Sequence, residues 1–309
     1  MAVHEAVRAL GRELSNWGRW GAEDEKGCFN HITPDKIVEA GKLIRSGKIF
    51  SLSLPLDLDG PQDVRRTGRM NPVHRMIRYG GEGAYGHKMG EFCSADDTAL
   101  LDLQSSTQWD ALSHLWYDDT LYNGFPASSI TAHGAAHCAV GAWKAGVVSR
   151  GVLLDIAAHI GVSHLEPDFA ITPEMLDATE AAQGVKVEAG DVVLIRTGLI
   201  GAWRRGEATL DRQPGLAFQC ARWLHERDVA AVCADNSAVE VLQQPDGLPL
   251  CSFHMVALRD MGLMLGELYL LDELAADCAA DGVYAFFFTA APLPFPRAVG
   301  SPVNPLAIK

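Results

Sequence analysis

Apolar residues fall in short runs separated by helical patterns, and that alternation predicts an α/β architecture. Val152 to Ile156, Asp191 to Thr197, Ala230 to Ala234, Met261 to Leu265 and Ala285 to Ala290 are rich in Val, Leu, Ile, Ala and Phe. Each is bounded by turn residues, as strands covered on both faces tend to be. Ile49 to Leu56 alternates serine with apolar residues and predicts a further strand. A helix is expected from about Asp35 to Ser46, where Thr33 offers a cap, Pro34 a first-turn proline and Gly47 a stop. Two more are expected near Ala135 to Ala145 and from about Gly215 to Arg227.

The rest of the chain breaks these periods. Residues 15 to 30, rich in Gly, Trp and turn formers, predict a packed, irregular entry, with 1–30 a candidate N-terminal arm. Residues 57 to 90 carry many Gly, Pro, Arg and His with weak periodicity and predict a long surface excursion. Long ordered loops often serve as functional lids, which makes His74 and His87 candidates for touching a ligand. Residues 118 to 129 are turn-rich. There is no repeat, low-complexity tract or linker, so one domain over 1–309 is expected.

One polar segment stands against this apolar background, Leu-Gln-Ser-Ser-Thr-Gln-Trp-Asp-Ala-Leu-Ser-His from Leu103 to His114. At the strand period of two, Gln104, Ser106, Gln108 and Asp110 project to one side, whereas a helix would turn Asp110 away. An inward polar row is costly to bury unless it is hydrogen-bonded or used, which argues against a purely structural subunit. Far downstream, His254 and Glu267 lie on either side of the Met261 to Leu265 run. Hard or borderline cations take carboxylate and imidazole ligands from separate parts of a fold. Taken alone, His254 and Glu267 read first as hydrogen-bonded or solvated side chains.

Composition narrows the field of functions. The 309 residues carry 26 Lys plus Arg against 39 Asp plus Glu, a net charge of −13, which disfavours nucleic acid and anionic membranes as partners and favours a small molecule. No basic start followed by an apolar run and no apolar stretch long enough to span a bilayer is seen, so a soluble, cytoplasmic protein is expected. The 7 cysteines are scattered and never spaced Cys-x-x-Cys, the usage of small buried residues in a reducing compartment. The dinucleotide fingerprint after a strand, the phosphate-binding P-loop and the serine-hydrolase elbow are absent. His133 and His137 have half of a zincin spacing without its glutamate and are read as structural, as are His31, His159, His164 and His225.

The polar segment resembles the signature H-x-G-T-H-x-D-x-P-x-H of the cyclase family of metal-dependent hydrolases, which includes bacterial kynurenine formamidase and isatin hydrolase. Thr107, Asp110 and His114 match it, while Gln104 and Gln108 stand where the family has its first two histidines. Asn16 to Gly21, Arg150 to Asp155, Gly190 to Gly198 and Gly300 to Pro305 are also similar to family segments, so the resemblance covers most of the chain. It implies a mixed sheet or partly open β-barrel flanked by helices, of the swivelling β/β/α type, and a homodimer or homotetramer. It also implies that Asp110, His254 and Glu267 hold one divalent ion, with Gln104 and Gln108 at a second position and His114 as the proton-transfer residue.

Glutamine offers only a neutral amide oxygen, weak for zinc beside imidazole but acceptable to manganese, magnesium or calcium. Three outcomes follow: one metal, manganese or zinc, held by Asp110, His254 and Glu267 with or without a glutamine; one or two harder ions; or no metal. The expected chemistry is attack of activated water on a cyclic or aryl amide, imide or lactone. Trp109, Trp116, Tyr117, Phe125 and His74, with the Met70 and Met76 region, are the expected walls for a flat substrate. The alternative is a metal-free or non-hydrolytic relative that uses the same pocket for cyclisation, isomerisation or ligand binding.

Overall fold

Four parallel strands form the middle of the sheet because their sequences tolerate burial on both faces. They are Val148–Asp155, Val192–Arg196, Ala231–Ala234 and Met264–Glu267, paired in that order. All residues of the last two are buried. Antiparallel strands extend the sheet both ways: Ala285–Thr289, Leu306–Ile308 and Ile49–Ser51 beyond Val148–Asp155, and Gln108–Asp110 and Gly300–Pro302 beyond Met264–Glu267. In this computed structural model, which describes residues 4–79, 88, 89, 92–245 and 247–309, these 9 strands make one sheet curled into a half-barrel with helices on its flanks. The mixed, partly open barrel expected from the sequence is what forms. His87 lies outside the described residues.

Most strands fall where the apolar runs placed them, and the helices less so. The first predicted helix does begin after Thr33, whose hydroxyl accepts from the Lys36 amide at 3.2 Å, but it spans Pro34–Gly41 and leaves Leu43 and Ile44 in turns. No helix covers 135–145; Gly134–Ala135 pairs with Ile130–Thr131, and only the short 3-10 turn Val140–Trp143 follows. Gly134 at φ +92° and Cys138 at φ +58° interrupt any helical path there. The Gly215 helix starts only at Cys220, because Gly215–Leu216 instead pairs in parallel with Ala170–Ile171. Similarly, the Met261 run becomes a strand only from Met264, since Met255–Met261 close a π-helix and Gly262, at φ +66°, turns the chain.

Two polar-patterned regions also differ from expectation. Ile49–Ser51 alone is strand; beyond it Leu52 donates to Pro305 O and Leu54 to Thr107 Oγ1. The row from Gln104 is extended only over Gln108–Asp110, and residues 103–107 turn toward it. Val73–Arg78, within the 57–90 excursion, pairs with Asp96–Leu100 beyond it in a two-stranded ribbon with most of its residues exposed. The entry segment folds back on the chain's own body: Asn16 donates to Met261 O at 2.8 Å and Trp17 to Arg259 O at 2.7 Å. No helix among the described residues is long and apolar enough to cross a membrane.

Candidate functional site

Strand register brings the first two polar groups together. Gln108 lies directly opposite Glu267 across the antiparallel pair, and Asp110, two residues on, projects to the same face. The Gln108 amide nitrogen accordingly donates to Glu267 Oε2 at 2.8 Å and to Asp110 Oδ1 at 3.3 Å. His254 arrives from another direction. It ends the short helix Ser252–His254, the π-helix carries the chain away, and the turn at Gly262 returns it along Met264–Glu267. The imidazole Nε2 comes within 3.2 Å of Glu267 Oε1 and 3.8 Å of Asp110 Oδ2. The cluster stands where Glu267 ends its strand, at the carboxyl edge of the central parallel strands, where open α/β sheets place their ligands.

Asp110, His254 and Glu267 therefore converge, each buried, with their ligating atoms within 4.8 Å of one another. Burial and the Asp110 charge push the Glu267 carboxyl up to about 7. Desolvation disfavours a charged His254, but hydrogen bonds and charge from Glu240 and Glu267 outweigh it and raise the imidazole well above its ordinary value. Two buried acceptors, Asp110 Oδ2 and Gln108 Oε1, have no donor. Facing carboxylates with acceptors left over are what a cation satisfies, so these residues fit a divalent ion. A second grouping of Glu240, Cys251 and His254 also lies within 4.8 Å, but it competes for the same imidazole.

His114 stands beside this cluster, Nε2 at 3.8 Å from Asp110 Oδ1. The Asp110 charge favours its protonated form, yet desolvation together with His254 and Arg69 prevails and lowers it below the ordinary imidazole value. A largely neutral imidazole is the form that accepts a proton near neutral pH. Gln104 lies in the turn before the strand. Its Nε2, buried and without a partner, occupies the space a side chain at Gly300 would need, 2.3 Å from an ideal Cβ there. Gly300 is the register partner of Asp110, so the absent Cβ makes room for that carboxamide.

The expected substrate walls scatter. Trp109 points to the opposite face of its strand, fully buried among Phe29, Trp143 and Tyr269, with Nε1 bound to Ala290 O. It shapes the core. Tyr117 donates to Asp260 Oδ2 at 2.8 Å beneath the Arg259 guanidinium, and Phe125 stacks on His137 at 4.3 Å. Trp116 is exposed, and His74 sits on the exposed ribbon paired with Asp97. None of these five touches Asp110, His254 or Glu267 in a hydrogen bond or ring contact given by the structure. His133 is exposed and His137 bonds Glu25.

One residue escaped the sequence reading altogether. Glu240, fully buried, receives His254 Nδ1 at 2.5 Å. No motif flagged it, and its only signal was an acidic residue in the loop after the buried Ala231–Ala234 strand.

A curled mixed sheet with a buried carboxylate–imidazole cluster at the carboxyl edge of its parallel strands defines an α/β protein with a candidate cation centre. The family model described as "Putative cyclase" matches residues 50–241, and the chain belongs to that cyclase family. A crystal structure described as a novel cyclase is 41% identical over 96% of this chain and 99% of that one, with a TM-score of 0.87. Isatin hydrolase A from Labrenzia aggregata, bound to benzyl benzoate, shares the fold at 21% identity, 88% and 97% coverage and a TM-score of 0.61. So does a predicted metal-dependent hydrolase from Bacillus stearothermophilus, at 16% identity, 85% and 98% coverage and a TM-score of 0.53. No curated protein matches the chain.

Proposed function

We propose that this chain is a metal-dependent hydrolase that opens a cyclic or aryl amide or imide, with a lactone as the near alternative. The observation that carries it is the buried convergence of Asp110, His254 and Glu267 with an unpartnered carboxylate oxygen at its centre. Isatin hydrolase and a metal-dependent hydrolase among the structural relatives support the reaction class. Asp110, His254 and Glu267 would hold one divalent ion, manganese or zinc. Such an ion supplies a Lewis acid and brings the pKa of water to about 7.

The chain's own residues then divide the remaining work. His114, largely neutral, takes the proton released when water adds to the carbonyl carbon and delivers it to the leaving nitrogen or oxygen as that bond breaks. Gln108 holds the two carboxylates at a fixed separation through its amide N–H groups. With histidine replaced at 104 and 108, the site offers a second ion only carboxamides and the shared Asp110, so a single ion is expected. A small-molecule substrate, a homodimer or homotetramer and a cytoplasmic location belong to the same proposal.

One observation favours a second reading. The Gln108 amide already bridges Asp110 and Glu267, which lets the polar cluster stand without a cation, as a metal-free cyclase, isomerase or binding relative would need. Metal analysis of protein purified without chelator, then assays of arylformamides, cyclic imides and lactones after stripping and restoring manganese or zinc, separates the two. The hydrolase reading expects turnover lost on stripping and restored by the ion. Turnover that survives removal of all metal would defeat it.

A further inference from the structure

We infer that Glu240 is the positioning residue of the centre: it fixes the His254 ring so that Nε2, and not Nδ1, faces Asp110 and Glu267. The inference rests on the proposed metal site for its consequence, and on the geometry alone for the orientation.

A carboxylate has about four acceptor sites, and those of Glu240 are filled from one side of the cluster. Oε1 accepts His254 Nδ1 at 2.5 Å and the His254 backbone amide at 3.0 Å. Oε2 accepts the Phe253 amide at 3.1 Å and Gln244 Nε2 at 3.1 Å. Phe253 and His254 belong to the short helix whose cap, Cys251, sits at φ +61°. One side chain therefore binds both the backbone at the start of that helix and the imidazole the helix presents. With Nδ1 committed as a donor to a buried carboxylate, Nε2 is left to the centre, the arrangement that orients ligating histidines generally.

The loop carrying Glu240 is held rigidly enough to do this. Asn236 Oδ1 accepts the Val239 amide at 2.7 Å, and its Nδ2 donates to Pro214 O at 2.7 Å. Val239 itself adopts φ +56°, a conformation β-branched residues avoid unless their surroundings impose it. Gly215 allows the closest approach: an ideal Cβ there would lie 2.3 Å from the Glu240 carbonyl carbon. The loop packs where only glycine fits. An imidazole aimed by such a mount pays little reorganisation when it takes up an ion.

The test uses the full chain as wild type, Glu240→Gln and Glu240→Asp, with His254→Gln for assignment, each checked for native circular dichroism. The first readout is the proton NMR signal of the His254 Nδ1–H in metal-free protein, assigned through its loss in His254→Gln and told apart from the Nε2–H facing Glu267 by its ring-nitrogen correlations. Wild type should show it far downfield and slow to exchange, Glu240→Gln should move it upfield because a neutral amide oxygen accepts more weakly than a carboxylate, and Glu240→Asp, one methylene shorter, should weaken it. The second readout is affinity for manganese and zinc alone by chelator competition, expected to fall by about 10- to 100-fold in Glu240→Gln and by less in Glu240→Asp. An Nδ1–H signal that stays as far downfield in a folded Glu240→Gln overturns the orientation, and unchanged affinity overturns its consequence. If Glu240→Gln does not fold, the same measures on Glu240→Asp decide, with no change in either counting against the inference. Should wild type bind neither ion, the hydrolase proposal fails while the NMR readout still decides the role of Glu240.

Discussion

Asp110 lies between Gln108, His254 and His114, with Glu267 within 4.8 Å. Asp110→Asn should therefore remove both bound metal and turnover, as measured by metal analysis and an amide-hydrolysis assay on the same preparation. His114→Ala should behave differently. It should keep its metal and lose about 10²- to 10⁴-fold in kcat, the usual contribution of a positioned proton-transfer group. Metal lost with the imidazole would make His114 a ligand instead. On the opposite face of the same strand, Trp109→Ala should cost about 3–5 kcal/mol in urea unfolding, because a large ring is removed from a close-packed aromatic cluster. The contrast between neighbouring residues was only partly legible. Alternation told which residues share a face with Asp110, but not that the other face of a three-residue strand is core rather than pocket wall. A Trp beside a motif looks the same in sequence either way.

At the scale of elements, the loops at the carboxyl ends of the parallel strands hold the site in shape. Asp235, just past Ala231–Ala234, accepts from the Thr197 amide and hydroxyl and from the Gly198 amide, all at 2.7 Å. Burial nevertheless outweighs these bonds and the nearby Arg196, raising its carboxyl from 3.8 to about 6. The folded chain thus binds this proton more tightly than the unfolded one. Its contribution to stability is fully present below the unfolded value and is lost as pH rises through about 6. Urea unfolding across that window should show wild type losing stability relative to Asp235→Asn as pH rises, and the opposite trend would mean that the charged form is the favoured one. Gly262→Ala should break the reversal that brings His254 beside Glu267. A Cβ there would lie 2.5 Å from the Tyr122 ring at φ +66°, a cost of more than about 1 kcal/mol readable in thermal unfolding.

These reversals explain what the sequence concealed. Buried runs such as Val192–Arg196 and Ala231–Ala234 declare themselves through composition. The π-helix ahead of Met264, the strand fragment at Gly215 and the turns at Gly134 and Cys138 depend on long-range backbone partners, and local periodicity carries no trace of those.

For the whole molecule, the family pattern carried information that residue physics alone lacked. Asp110, His254 and Glu267 come from distant parts of the chain, and nothing in their local spacing links them. Resemblance linked them, and the half-barrel brings them within 4.8 Å. Glu240 was invisible because its role depends on a helix start and a loop that meet only in the fold. If this centre takes up an ion in the folded state alone, manganese or zinc at 100 times its Kd should stabilise the chain by about 2.7 kcal/mol. Thermal unfolding with and without the ion checks that, and Asp110→Asn should show no such gain.

Equilibrium dialysis against manganese and zinc, run in parallel on wild type and Asp110→Asn, decides whether the three buried groups form an ion site. One divalent ion should bind per wild-type chain and none in the variant. A folded wild type that takes up no ion, or a variant that takes up as much as wild type, would contradict it.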